Sequence, residues 1–216
     1  MNKDPYYSSR YTFDPKRIIV WKEIIRFLQK FISKTAAVVD LGAGYCDFIN
    51  NISAQKKYAV DISPELARFA GKGVAKINRE GWNFYEIPDL LVDVVHASNF
   101  LEHFDDDELE KIMKEVKRIL KPKGRLILMQ PNYRLSAKNY FDDPTHKKIF
   151  SDASLESFLL SHNFKILLKM PRFLPFSMRS NSSIIPKFLL PFVVRAYIHS
   201  PIKPFAGQML FVAEKL

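Results

Sequence analysis

One cysteine, Cys46, in 216 residues gives no second thiol for an intramolecular disulfide and too few thiolates for a cysteine-rich zinc site. Its scarcity fits a reducing compartment. No stretch approaches the ~20 consecutive apolar residues that a bilayer span requires, and Met1 to Arg10 is polar where a secretory signal would be apolar. The expectation is a soluble, cytoplasmic protein. Acidic residues are missing from one long segment: between Ser157 and Ala213 there is no Asp or Glu, whereas Lys165, Lys169, Arg172, Arg179, Lys187, Arg195 and Lys203 all fall there. The formal charge of +10 by itself selects no partner, because it attracts nucleic acid, anionic lipid and phosphorylated substrates alike. Internal repeats, low-complexity tracts and linkers are also lacking, so the chain reads as a single domain, 1–216. With 47% hydrophobic and 26% charged residues it has the composition to bury a core on both faces of a sheet.

Apolar residues recur at helical spacing from Arg17 to Phe31, and a short β-branched run, Ala36 to Leu41, follows and ends in Gly42 and Gly44. A helix is expected to begin near Asp47, and a strand over Tyr58 to Ile62 leads to the capping sequence Ser63-Pro64-Glu65. Further strands are expected at 73–77, 91–97, 125–130, 164–170 and 208–213. Helices are expected at 105–120 and 152–161. The first of these carries acids at its start and Lys117, Arg118 and Lys121 at its end, complementing the helix dipole. Alternating elements of these lengths specify an α/β fold: a doubly wound, Rossmann-like, seven-stranded sheet with helices on both faces, binding its ligand at the carboxyl ends of the strands. The organisation expected is an N-terminal lid and helix (1–35), a core (36–170), an apolar and basic insertion (171–206) and a last strand (207–216).

In Asp40-Leu41-Gly42-Ala43-Gly44-Tyr45-Cys46 the glycines let a ligand approach the backbone, and the helix that follows offers its amides. Asp61 ends the next strand, 21 positions after Asp40, where a carboxylate can accept hydrogen bonds from both hydroxyls of a ribose. Together with Asp93 to Phe104 and Leu120 to Leu126, these residues resemble the class I S-adenosylmethionine-dependent methyltransferases, in particular the small-molecule enzymes of bacterial cell-surface saccharide and lipid pathways. The resemblance covers roughly residues 36–170. It implies S-adenosyl-L-methionine as cofactor, an antiparallel last strand, and methyl transfer to a small, lipid-linked or sugar-linked acceptor.

Carried over by position, the resemblance implies that Asp40 and Gly42, Ala43 and Gly44 face the methionine part of the cofactor and Asp61 the ribose, with Ile62 beside it. Glu80, Gly81 and Trp82 would hold the adenine, and Ser98, Asn99 and Phe100 would lie beside the methyl-bearing sulfur. Two positions depart from the family pattern: Cys46 stands for a third glycine and Lys123 for the first glycine before the fifth strand. In-line displacement at a sulfonium needs alignment above all, and a base only if the acceptor loses a proton. The candidates for that base are His146, His103 and Asp143, with His146 favoured because it ends the polar-aromatic loop Asn139 to His146. Asp105, Asp106 and Asp107 read as a helix start and not as a metal cluster, and no metal is expected. His96 reads as a hydrogen-bonded core residue. Tyr6, Tyr7, Arg10 and Tyr11 read either as a disordered tail or, as the resemblance implies, as a lid over the cofactor.

Three other functions compete. A nucleic-acid methyltransferase is suggested by the charge. It is opposed by Ser98-Asn99-Phe100 in place of an Asn-Pro-Pro-Tyr type of motif, and by the lack of an RNA-binding module; DNA is not expected as a partner. A nicotinamide oxidoreductase would need a glycine where Asp47 stands. An inactive methyltransferase-like subunit would keep the fold and lose turnover. The insertion, with apolar residues and positive charge only, reads either as a cover walling the acceptor pocket or as a surface touching anionic lipid at the inner face of the membrane.

Overall fold

In the computed structural model of the protein, residues 15–64, 66–80, 82–175 and 185–216 are described. Helix α1 (Pro15–Leu28) runs into a 3-10 turn (Gln29–Phe31), and β1 (Ala37–Leu41), α2 (Asp47–Asn51), β2 (Lys56–Asp61), α3 (Leu66–Phe69) and β3 (Val74–Asn78) follow. After β4 (Val92–Ser98) come a second 3-10 turn (Leu101–His103), α4 (Asp106–Ile119), β5 (Leu120–Pro131), α5 (Tyr133–Tyr140) and α6 (Asp152–Ser161). The chain closes with β6 (Phe164–Pro175), α7 (Leu190–His199) and β7 (Ala206–Lys215).

The strands form one sheet in the order β3-β2-β1-β4-β5-β7-β6. β7 runs antiparallel to both its neighbours, and the remaining pairings are parallel. Strand order reverses between β1 and β4, so the crevice at their carboxyl ends is the natural ligand site. Successive strand residues feed two cores. Val39, Val95, Leu128 and Phe211 pack under α4 and α6, and Val38, Val94, Ile127 and Val212 pack under α1 and α2. Burial on both faces explains why these strands read as continuous apolar runs.

Helix α4 is set by its own sequence. The Asp105 carboxylate accepts from Glu108 N, and Glu108 Oε2 accepts from Asp105 N, closing a capping box. Leu109, Ile112, Met113, Val116 and Ile119 are buried beneath it, each contributing about 1.5–3 kcal/mol. The acids at 105–107 therefore start a helix, as the sequence implies.

The structure corrects several boundaries. β6 continues past Met170 to Pro175, because shifts in register opposite β7 let Leu174 pair with Gln208 and Pro175 with Ala206. The insertion is thus shorter than 171–206, and it contains a helix, α7, which the sequence reading does not assign. α7 lies against α1: Arg195 Nε donates to Glu23 Oε2 (2.8 Å), and the Phe27 ring meets those of Phe173 and His199 at 5.6 and 5.8 Å. Helix α5 also went unread, since its Tyr-Arg-Leu-Ser-Ala-Lys-Asn-Tyr sequence carries no regular apolar stripe and is kinked at Ser136. Asn139 and Tyr140 therefore end a helix, and the expected loop begins at Phe141. The proposed lid residues Tyr6, Tyr7, Arg10 and Tyr11, and Gly81 in the expected adenine loop, lie outside the described residues.

Candidate active site

The turn after β1 is held by two amides: Gly42 N and Ala43 N both donate to Val60 O, at 2.9 and 3.2 Å. Gly42 has φ +66°, and a Cβ there would stand 2.5 Å from Phe100 Cδ2, so the turn and the tip of β4 meet across the space a side chain would fill. Asp61, at the tip of β2, accepts from Gly44 N (2.8 Å) and Ser63 N (2.7 Å). Burial pushes its carboxyl above the usual range, and the Ser63 and Gly44 amides pull the other way. Beside it Ile62 is 62% exposed, an apolar side chain at the strand edge of the kind that covers a flat base. Glycine turn, buried acid and apolar neighbour fit an adenosyl-amino-acid ligand.

The other residues expected around the cofactor spread along the same edge. Asp40 is buried, and its Oδ1 accepts from His96 Nδ1 (2.7 Å); the His96 ring stacks on Phe48 at 3.7 Å between centroids. His96 is accordingly a hydrogen-bonded core residue. Phe100 leads to Phe104 (4.7 Å between centroids) and Phe104 to Trp82 (5.7 Å), an aromatic wall that begins at Gly42. Glu80 is exposed. Ser98 ends β4. Asn99, with φ +47°, accepts from Gln208 Nε2 (2.9 Å) and so ties the β4 tip to the start of β7.

Beyond Phe100 the fold gathers His103, Asp143 and His146, together with two residues that sequence reasoning did not single out, Glu102 and Thr145. The His146 ring is buried and its Nδ1 donates to Tyr140 O (2.5 Å), which turns Nε2 toward Glu102 Oε1 and Asp143 Oδ2, each 4.0 Å away. His103 is half-buried, and its Nδ1 donates to Thr145 Oγ1 (2.9 Å), whose own proton goes to Asp143 Oδ1 (2.5 Å). Glu102 has no exposed surface, and burial pushes its carboxyl up to about 8. Gln130 donates to Glu102 Oε2 and accepts from Leu101 N (3.2 Å), whereas Glu102 Oε1 has no hydrogen-bond partner. The only sequence signal for Glu102 was its place beside His103 in a motif-like run. Its 44-position separation from His146 hid the rest.

The two strands that flank the insertion, β6 and β7, are tied together at this edge. Asn132, just after β5, donates from Nδ2 to Pro171 O (3.1 Å) and from its backbone N to Gly207 O (2.8 Å).

Such a sheet order, with a glycine turn after β1 and an acid at the tip of β2, defines the class I methyltransferase fold. Residues 13–169 match the family described as "Methyltransferase domain", and the chain belongs to that family. A solved S-adenosylmethionine-dependent methyltransferase from Archaeoglobus fulgidus has the same fold (TM-score 0.71, 20% identity, 98% of this chain and 100% of that one covered). So does one from Clostridium acetobutylicum (TM-score 0.63, 16% identity, 97% and 95% covered). An uncharacterized methyltransferase-like protein of Schizosaccharomyces pombe is 32% identical over 103 residues, covering 45% of this chain and 39% of that protein. An uncharacterized protein of Methanocaldococcus jannaschii is 32% identical over 117 residues, covering 53% and 49%. The matches thus span less than half the length of these two relatives. Family and fold together imply S-adenosylmethionine as the cofactor.

Proposed function

We propose that this chain transfers the methyl group of S-adenosylmethionine to an acceptor carried on a lipid or lipid-linked sugar, with the acceptor on the far side of Phe100 from the glycine turn. When bound, the cofactor supplies an electrophilic methyl on a sulfonium. Asp61 receives the ribose hydroxyls, and Gly42 to Gly44 and Asp40 hold the amino-acid end. Ser98, Asn99 and Phe100 align the methyl, and alignment is the larger part of catalysis for an in-line displacement. His103, His146 and Asp143 are the groups on the acceptor side able to meet an acceptor oxygen or its proton.

One observation carries the acceptor class. The strands that carry the insertion, β6 and β7, are tied by Asn132 and by the Gln208–Asn99 bond to the strand tips that would flank the methyl, and the insertion presents Phe188, Phe192, Ile202 and Phe205 at 66–91% exposure. An apolar surface anchored beside the acceptor edge favours a substrate with an apolar carrier.

Calorimetry with S-adenosylhomocysteine tests the cofactor half: the wild type binds, and Asp61→Asn weakens binding by at least tenfold, about 1.4 kcal/mol. Release of S-adenosylhomocysteine from S-adenosylmethionine, driven by a lipid extract and not by its water-soluble counterpart, tests the acceptor half. Equal turnover with both fractions would remove the apolar carrier from the proposal.

A further inference from the structure

Glu102, His103 and His146 each direct one ligand-type atom into a common space, and the three atoms lie within 4.8 Å of one another. We propose that these residues form a binding site for one divalent first-row transition-metal ion. No metal was expected from the sequence, because the group assembles from the 3-10 turn after β4 and the loop after α5.

The decisive feature is the Glu102 carboxyl group, whose proton an incoming cation displaces to solvent. It is fully buried, Gln130 occupies Oε2, and Oε1 is left without a hydrogen-bond partner while facing His146 Nε2 across 4.0 Å. That distance is too long for a hydrogen bond. A buried oxygen acceptor without a donor is costly, and a cation shared with the imidazole removes the cost. Ligand atoms about 2.1 Å from a tetrahedral ion stand ~3.4 Å apart, so each donor moves inward by less than about 1 Å to meet it.

Hydrogen bonds fix the tautomer of both histidines. A carbonyl can only accept, so Tyr140 O fixes the His146 proton on Nδ1 and leaves Nε2 as the donor to a metal. Thr145 Oγ1 gives its proton to Asp143 and must accept from His103 Nδ1, which makes Nε2 the unprotonated nitrogen of His103. Asp143 Oδ2, also 4.0 Å from His146 Nε2, is placed to join as a further oxygen. Two imidazoles with one or two carboxylates select zinc, manganese, iron or cobalt over magnesium or calcium. The site shares with the functional reading only its location on the acceptor side. An ion there would make the histidines ligands instead of bases, and would attract an acceptor bearing an oxygen donor.

The test uses tag-free protein stripped with a chelator and titrated with Co2+, followed by calorimetry and visible absorption. One ion per chain is expected, with the ligand-field absorption of an imidazole-bound site. Glu102→Gln and His103→Ala should each weaken Co2+ binding more than ~10-fold, the loss seen even for outer partners of a metal site. His162→Ala, at the distant end of α6, should not change it. Each variant is also titrated with S-adenosylhomocysteine. If Glu102→Gln loses that binding through misfolding, the half-buried His103→Ala decides the question. Wild-type Co2+ binding that is absent, not one to one, or unchanged by His103→Ala overturns the site. Failure of the wild type to bind S-adenosylhomocysteine counts against the cofactor reading alone.

Discussion

Gly42 and Lys123 both adopt left-handed backbone, with φ of +66° and +61°, but only one of them is a glycine. At Gly42 the conformation and the Phe100 ring together forbid a side chain. Gly42→Ala is therefore expected to lower S-adenosylhomocysteine affinity at least tenfold, about 1.4 kcal/mol, in protein that still folds; calorimetry at unchanged circular dichroism checks it. Lys123 is exposed and occupies the position where relatives are expected to have glycine, so its side chain brings strain and no packing. Lys123→Gly should stabilise the protein by ~0.5–1 kcal/mol, since relief of left-handed strain of ~1–2 kcal/mol outweighs the entropy glycine adds to the unfolded chain. Denaturant unfolding would show the gain, and a loss would mean that Lys123 makes a contact worth more than its strain. Cys46 is another left-handed position, at φ +58°, with its side chain fully buried and its thiol pushed up to about 12 by burial and by Asp40, Asp61 and Asp47. Its thiolate population near neutral pH is negligible, so iodoacetamide should leave the native protein unlabelled and modify it only in denaturant. Labelling of native protein at the rate of a free thiol would show that the turn opens.

Elements were legible where their signals were local. The capping residues and apolar stripe of α4 and the β-branched runs of β1 and β4 can be read within a dozen residues. Asp40, the glycine turn and Asp61 can be read within 22 residues, across one strand–helix–strand unit. Helices α5 and α7 were not legible: α5 has no apolar periodicity, and α7 is apolar on most of its surface, so neither shows the contrast that marks an amphipathic helix. The Glu102–His146 grouping was hidden because it depends on how two loops fold together at the sheet edge. What holds α7 in place is likewise non-local. Glu23 is buried at 5% exposure and receives Arg195 and Arg26, the former from across the helix pair. Arg195→Ala leaves Glu23 with Arg26 alone. Because Arg195 is half exposed, the cost is expected to be about 1 kcal/mol, a fall of ~2–4 °C in Tm. Hydrogen exchange should quicken over 190–199 and stay unchanged in α4; equal exchange in both helices before and after would show that apolar packing alone seats α7.

At the scale of the whole molecule, topology places the glycine turn, the Glu102–His103–His146 cluster and the Asn132 and Asn99 ties to β6 and β7 on one edge of the sheet. Among the described residues no helix is long and apolar enough to cross a membrane. Contact with lipid, if the proposed acceptor is lipid-borne, would fall to the side chains at 188–205. Phe188, Phe192 and Phe205 are 73%, 66% and 91% exposed, on a segment whose only formal charges are positive. Inserting each ring into an acyl boundary would contribute up to about 1.5–3 kcal/mol, and the cations add attraction only to anionic headgroups and only within a Debye length of ~8–10 Å. The two contributions separate experimentally. Sedimentation with vesicles is expected when anionic lipid is present, to weaken with added salt, and to weaken by at least tenfold when Phe188, Phe192 and Phe205 are changed to Ser with S-adenosylhomocysteine binding intact. Binding that follows salt but ignores the three rings would leave charge as the whole attraction. The apolar segment would then be a wall for the acceptor pocket, and the lipid carrier would lose its structural support while the methyl-donor site kept its own.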